Sequence, residues 1–138
     1  MEYIKTYESK LTESISFKEW FKGSKITDKN GNPLVVYHGT NNLFSKFRND
    51  ASPGGITWFS TSEEHIKSGE SGAAGCKYIV KMYVSMKNPA GWYEYEKLGL
   101  QQIIDRGYDG VILPFENHNP NDDYDGFVFN AKQIKIIK

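Results

Sequence analysis

The sequence is poor in the residues that build covalently linked or metal-held scaffolds. Cys76 is the one cysteine among 138 residues, which excludes an internal disulfide framework and a Cys-x-x-Cys metal knuckle. The three histidines, His38, His65 and His118, lack zinc-ligand spacing, so we expect no structural metal. The fold must therefore rest on buried apolar surface, and a chain of this length can bury enough of it.

Charge of one sign and long apolar runs are absent as well. Seventeen basic residues balance seventeen acidic ones, so the chain lacks the overall positive charge typical of a nucleic-acid-binding protein, although a local basic patch is not excluded. No stretch reaches the length of a membrane span, and the N-terminus has no apolar signal region. These features predict a cytoplasmic protein with no membrane partner.

Aromatic residues are abundant: nine Tyr, eight Phe and three Trp, which suit dense cores and stacking sites. Hydrophobic patterning predicts one α+β domain over residues 16–138, after a weakly patterned lead-in over residues 1–15. We expect helices at 16–23, from 61 to about 70 and at 93–107. We expect strands at 34–40, 56–60, 76–86, 108–113, 127–129 and 133–138, with polar loops at 48–55 and 114–123.

Three places combine a strand end with chemically useful side chains. His38, Gly39 and Thr40 end the run L-V-V-Y-H-G-T, where a glycine lets a flat ligand approach the main chain. Trp58 and the hydroxyls that follow it suit a planar aromatic amide or a base. An aspartate of N-D-D-Y-D-G-F-V-F could stabilise positive charge on a sugar carbon. Taken singly, these features also fit a turn histidine, a core tryptophan and a solvated turn.

Four motifs follow one another over about residues 32–135: P-L-V-V-Y-H-G-T, G-I-T-W-F-S-T-S, G-Y-D-G-V-I and Y-D-G-F-V-F-N-x2-Q-I-K. Their succession resembles the ADP-ribosyltransferase fold of the His-Tyr-Glu type. It looks closest to the small phage and bacterial domains found in polyvalent proteins. The resemblance implies two packed, mostly antiparallel sheets with flanking helices around an NAD cleft.

The resemblance also implies the residues that bind NAD. His38 would contact the nicotinamide ribose, and the main chain of Gly39, with Thr40 beside it, would hold the carboxamide. Trp58 would stack on the nicotinamide, and Ser60 is the small residue near that ring. Trp replaces the usual Tyr, which keeps a stacking surface but removes the phenol hydroxyl.

For the acid, the resemblance implies Asp125, with Asp123 as the second candidate if the alignment shifts. Aspartate replaces the usual glutamate and is about one methylene shorter. Arg48 is a candidate contact for the pyrophosphate, beside the alternative of a solvated loop residue. Gly69 stands where many relatives carry a further aromatic residue.

The implied activity is cleavage of the bond between nicotinamide and ribose in NAD, followed by transfer of ADP-ribose to a macromolecule. A protein is favoured over a nucleic acid as the acceptor, because the composition is not basic. If a phage encodes the chain, the acceptor would lie in the host bacterial cytoplasm. Two alternatives stay open: an NAD glycohydrolase, with water as acceptor, and a non-catalytic binding module.

Overall fold

A computed structural model describes residues 17–40, 56–68, 77–115 and 122–137. The described residues form an α+β fold. Its helices are α1 (17–21), α2 (Glu63–Lys67), α3 (Trp92–Lys97) and α4 (Leu100–Asp105). Its strands are β1 (Val36–Thr40), β2 (Thr57–Ser60), β3 (Tyr78–Val84), β4 (Pro89–Ala90), β5 (Gly110–Pro114), β6 (Tyr124–Val128) and β7 (Ile134–Ile136). None of the described helices is long and apolar enough to span a membrane.

The described strands form one mixed sheet in the order β4-β5-β6-β2-β1-β3-β7. Strands β4 and β5 pair in parallel, and the other neighbours pair antiparallel. The described strands thus form one continuous sheet and do not confirm the expected arrangement of two packed sheets. Its two parts, β4-β5-β6-β2 and β1-β3-β7, are joined at a single register pair, Tyr37 with Ser60.

Alternation along the strands gives the sheet an apolar cluster on each face. Neighbouring residues of β6, Phe127 and Val128, belong to different clusters, as do Trp58 and Phe59 of β2. The first cluster contains the buried residues Ile26, Val36, Phe59, Met82, Val84, Met86 and Val128. The second contains Ala90, Ile103, Val111, Leu113 and Phe127.

The expected helix at 93–107 is in fact two short helices, α3 and α4. Gly99 interrupts them with an extended backbone (φ −75°, ψ 162°), and its N–H donates to Oε1 of Gln102 at 3.0 Å. This hydrogen bond caps the start of α4. The periodic apolar pattern extends over the break because Leu98 and Leu100 both pack against the second cluster.

Strand β6 begins earlier than the sequence predicted, at Tyr124 rather than at Phe127. Its pairing with β5 joins Tyr124 to Pro114 and Asp125 to Leu113. Asp125 therefore lies inside a paired strand, where the sheet fixes the direction of its side chain. The predicted lead-in at 1–15, the loop at 48–55 and residues 116–121 lie outside the described part of the chain.

Candidate functional site

Two distant motifs meet where β2 pairs with β6. Trp58 is directly opposite Phe127, and Ser60 is directly opposite Asp125. Residues opposite each other in an antiparallel pair project from the same face of the sheet, and so do residues two positions apart. Trp58, Ser60 and Asp125 therefore share a face of the sheet.

The Asp125 carboxylate is held between a hydroxyl and an imidazole. Oδ2 lies 3.2 Å from Nε2 of His65, and the Asp125 side chain is 18% exposed. Burial raises the pKa of Asp125, and a hydrogen bond from the Ser60 hydroxyl together with His65 partly opposes that rise. Oδ1 is buried and has no hydrogen-bond partner among the described residues. One carboxylate oxygen is thus fixed, while the other keeps its accepting capacity.

His65 lies at the candidate site, although the sequence alone assigned it no role. It lies on α2, which directly follows the T-W-F-S strand, and its N–H donates to the N-capping hydroxyl of Ser62 at 3.2 Å. Its ring stacks on Phe115, with centroids 4.3 Å apart and planes 29° apart. Because His65 follows Ser60 closely in the chain, the sequence indicated that His65 lies near the end of that strand. Nothing in the sequence indicated that His65 lies close to Asp125.

His38 connects β1 to β2 through its side chain. Nδ1 lies 2.7 Å from the backbone oxygen of Trp58. A carbonyl oxygen only accepts, so Nδ1 carries the proton and donates it in this hydrogen bond. Burial lowers the pKa of His38, and the hydrogen bond to Trp58 partly opposes that change. The ring is therefore neutral at pH 7, and its Nε2 presents a lone pair that can accept from a hydroxyl.

Strands β1 and β2 diverge at the end that carries the glycine. All five residues of β1 pair with β3, including Gly39 with Ile79 and Thr40 with Tyr78. On its other side β1 pairs with β2 at Tyr37, and Gly39 and Thr40 lie beyond that pair. The two residues are thus placed where the joined parts of the sheet separate, directly after His38 in β1.

The Trp58 ring is part of the second apolar cluster. Its centroid lies 4.6 Å from that of Phe127 and 6.4 Å from that of Tyr95, in tilted and edge-on arrangements. The side chain is partly buried, so these contacts fix the ring while part of it stays accessible. The Trp58 side chain therefore packs in the core and also offers an accessible part of its ring for stacking.

The two candidate acids have different surroundings. The Thr61 hydroxyl donates to Oδ1 of Asp123 at 2.8 Å and accepts from the N–H of Tyr124 at 3.0 Å. Asp123 thus helps to join the end of β2 to the start of β6. Asp125 is the acid that lies directly opposite Ser60.

Two further predictions concern the pyrophosphate contact and metal binding. Arg48 lies outside the described residues. Within the described ranges, no group of three or more His, Cys, Asp or Glu side chains could hold a metal ion.

A sheet with an acid, a hydroxyl, a histidine and a tryptophan at the junction of its two parts fits an ADP-ribosyltransferase domain. A model of the family described as ADP-ribosyltransferase in polyvalent proteins matches residues 28–98, just over half of the chain. The chain belongs to this family. The matched range contains His38, Trp58, Ser60 and His65, whereas Asp125 follows it. No curated protein and no solved structure matches the chain.

Proposed function

We propose that this chain is an NAD-dependent ADP-ribosyltransferase that modifies a macromolecule, with a protein as the favoured acceptor. Membership of the family supports the transfer of ADP-ribose in general. The observation that carries the specific proposal is the environment of Asp125: opposite Ser60, 3.2 Å from His65, and with a buried oxygen that has no partner among the described residues. A buried, pre-oriented carboxylate is the group needed to stabilise a developing positive charge.

The reaction breaks the bond between the anomeric carbon of the ribose and the ring nitrogen of nicotinamide. The bonding electron pair leaves with nicotinamide, which departs neutral, and positive charge grows on the anomeric carbon. The ionised Asp125 carboxylate stabilises that charge more in the transition state than in the substrate, which is the condition for acceleration. The acceptor then forms a bond to the same carbon and releases its proton to solvent.

The remaining site residues bind and orient NAD in this proposal. Nε2 of the neutral His38 ring accepts from a ribose hydroxyl, and the main chain of Gly39, beside Thr40, contacts the carboxamide. The Trp58 ring stacks on nicotinamide, and its contacts with the apolar cluster set its orientation before the substrate binds. The small side chain of Ser60 leaves room near that ring.

The net charge of the chain favours a protein over a nucleic acid as the acceptor. The chain has no net charge, so it lacks the sequence-independent attraction for phosphate backbones that drives nucleic-acid binding. A protein target in the compartment where the chain is made, the host bacterial cytoplasm for a phage-encoded chain, fits this composition.

The test is incubation of the purified protein with NAD labelled in its ADP-ribose part and a bacterial lysate. Label on protein, together with release of nicotinamide, supports the proposal. Free ADP-ribose as the one labelled product would indicate an NAD glycohydrolase instead. Binding of NAD without release of nicotinamide would indicate a non-catalytic module. An Asp125→Ala variant that kept full nicotinamide release would show that the acid is assigned wrongly.

A further inference from the structure

We propose that His65 is a positioning residue for Asp125: its imidazole, paired with the carboxylate through Nε2, keeps that carboxylate ionised and oriented while positive charge develops on the sugar. The inference rests on the proposed function, because it concerns the acid of that reaction. It adds a second histidine, on α2, to the site formed by the strands.

Three contacts hold His65, two through its ring and one through its backbone. Nε2 lies 3.2 Å from Oδ2 of Asp125, and one ring face stacks on Phe115 at 4.3 Å. The backbone N–H of His65 is anchored on the Ser62 hydroxyl at 3.2 Å. The two partner side chains are only 17% and 18% exposed, so their interaction is less screened by water than a surface ion pair.

Asp125 needs such a partner because its position disfavours charge. Burial is the largest influence on the pKa of Asp125 and raises it, and Oδ1 has no donor among the described residues. The Ser60 hydroxyl supplies one neutral hydrogen bond. Within the described part of the chain, His65 is the ion-pair partner of this carboxylate. A cation there offsets part of the cost of burying the charge.

Other titratable groups lie on α2 and on the strands beside it. On α2, Nζ of Lys67 lies 4.0 Å from Oε1 of Glu63 and 3.9 Å from Oε1 of Glu64, so the lysine offsets one of the two negative charges. Burial raises the pKa of Tyr124 to about 12, which keeps that phenol neutral. The titratable residues of the neighbouring strands are Tyr37 and His38 on β1 and Tyr124 and Asp125 on β6, preceded by Asp123.

The kinetic experiment measures nicotinamide release from NAD against pH for the wild type, His65→Gln and His65→Lys. His65→Gln should lower kcat about 10- to 100-fold, with KM within about twofold, because the partner that orients the acid is lost. The acidic limb of its pH profile should move to higher pH, since Asp125 then ionises less readily. His65→Lys should retain more activity than His65→Gln, because lysine supplies a positive charge up to about pH 10.

Lys67→Gln is the matched control, since it removes a positive charge from the same helix without a contact to Asp125. It should leave kcat and the acidic limb of the profile unchanged. Loss of activity in Lys67→Gln equal to that in His65→Gln would mean that the net charge of α2, rather than the ion pair, is responsible. A His65→Gln profile with the wild-type acidic limb would also overturn the inference.

A second measurement does not depend on turnover. Carbon-13 NMR of the side-chain carboxyl, assigned with Asp125→Asn, should show the pKa of Asp125 higher in His65→Gln than in the wild type and unchanged in Lys67→Gln. An unchanged pKa in His65→Gln contradicts the inference, and His65→Asn provides the same comparison if the glutamine variant does not fold. Failure of the wild type to release nicotinamide would instead contradict the proposed function, so the two failures are distinguishable.

Discussion

Ser60 and Asp125 face each other across the β2–β6 ladder. A shift of one residue in this register would turn Asp125 to the opposite face and separate it from the tryptophan motif, because side chains alternate along a strand. The same Ser60 also pairs with Tyr37 of β1, where the two parts of the sheet join. The register of the sheet therefore determines the geometry of the candidate site.

Substitution of the two acids should separate their roles. Asp125→Asn should lower nicotinamide release by about 100-fold or more, because the charge that stabilises the transition state is lost. Asp123→Asn should change it by less than about threefold, since an asparagine oxygen can still accept from the Thr61 hydroxyl. The measurement is single-turnover release of nicotinamide. The reverse order of the two effects would make Asp123 the acid.

Asp125→Asn should also change how stability depends on pH. The folded pKa of Asp125 is raised above the unfolded value of 3.8, which means that folding favours the protonated carboxyl. The stability linked to this shift is complete below pH 3.8 and is lost as pH rises through the folded pKa. The variant, which carries no such charge, should therefore gain stability relative to the wild type between pH 4 and pH 7. Urea unfolding at several pH values measures this, and a variant that is relatively less stable at pH 7 would contradict it.

His38 should titrate below its ordinary range. Its folded pKa is lowered from 6.5, so the corresponding stability is complete above pH 6.5 and is lost as pH falls toward the folded pKa. Nitrogen-15 NMR of the ring should show a proton on Nδ1 at pH 7, with Nε2 unprotonated. His38→Asn keeps a donor for the Trp58 carbonyl, so it should lose less stability on acidification than the wild type. A ring that is mostly charged at pH 7 would exclude the acceptor role of Nε2.

Trp58 should show separable effects on folding and on substrate binding. Trp58→Ala should lower the free energy of unfolding by about 3 kcal/mol, because contacts with Phe127 and Tyr95 are lost. Trp58→Phe should lose less stability and keep nicotinamide release, because an aromatic face remains. Trp58→Leu should keep the fold but raise KM for NAD. Equal KM values for the phenylalanine and leucine variants would argue against stacking.

Gly126 lies between Asp125 and the buried Phe127 in β6, and it is closely packed. A substitution at Gly126 therefore tests the observed packing of this strand. A Cβ atom there would lie 2.7 Å from Cζ of Phe59 and 2.7 Å from the backbone oxygen of Val111. Gly126→Ala should therefore cost about 2 kcal/mol of unfolding free energy. Gly99→Ala, where the nearest atom is 3.9 Å away, should cost less than about 1 kcal/mol. Thermal or urea unfolding of both variants checks this, and equal costs would contradict the observed packing.

The strands that carry the candidate site were predictable because each of their motifs is local. A run such as L-V-V-Y-H-G-T or I-T-W-F-S specifies a strand through its own apolar and β-branched residues, and β1 and β2 lie within those runs. The family, matched over residues 28–98, was also recognisable from motif order. Boundaries were less predictable: the pattern at 93–107 did not show the break at Gly99, because apolar contacts extend on both sides of it.

The sequence by itself determined the α+β class and the main strand segments, and it predicted which residues would bind a nicotinamide ribose. Only the tertiary structure decided that the described strands form one sheet, that Asp125 rather than Asp123 lies directly opposite Ser60, and that His65 lies 3.2 Å from that carboxylate. The physical reason is that propensity and periodicity act over a few residues. Register, burial and an ion pair between His65 and Asp125 depend on segments that come together only when the sheet forms.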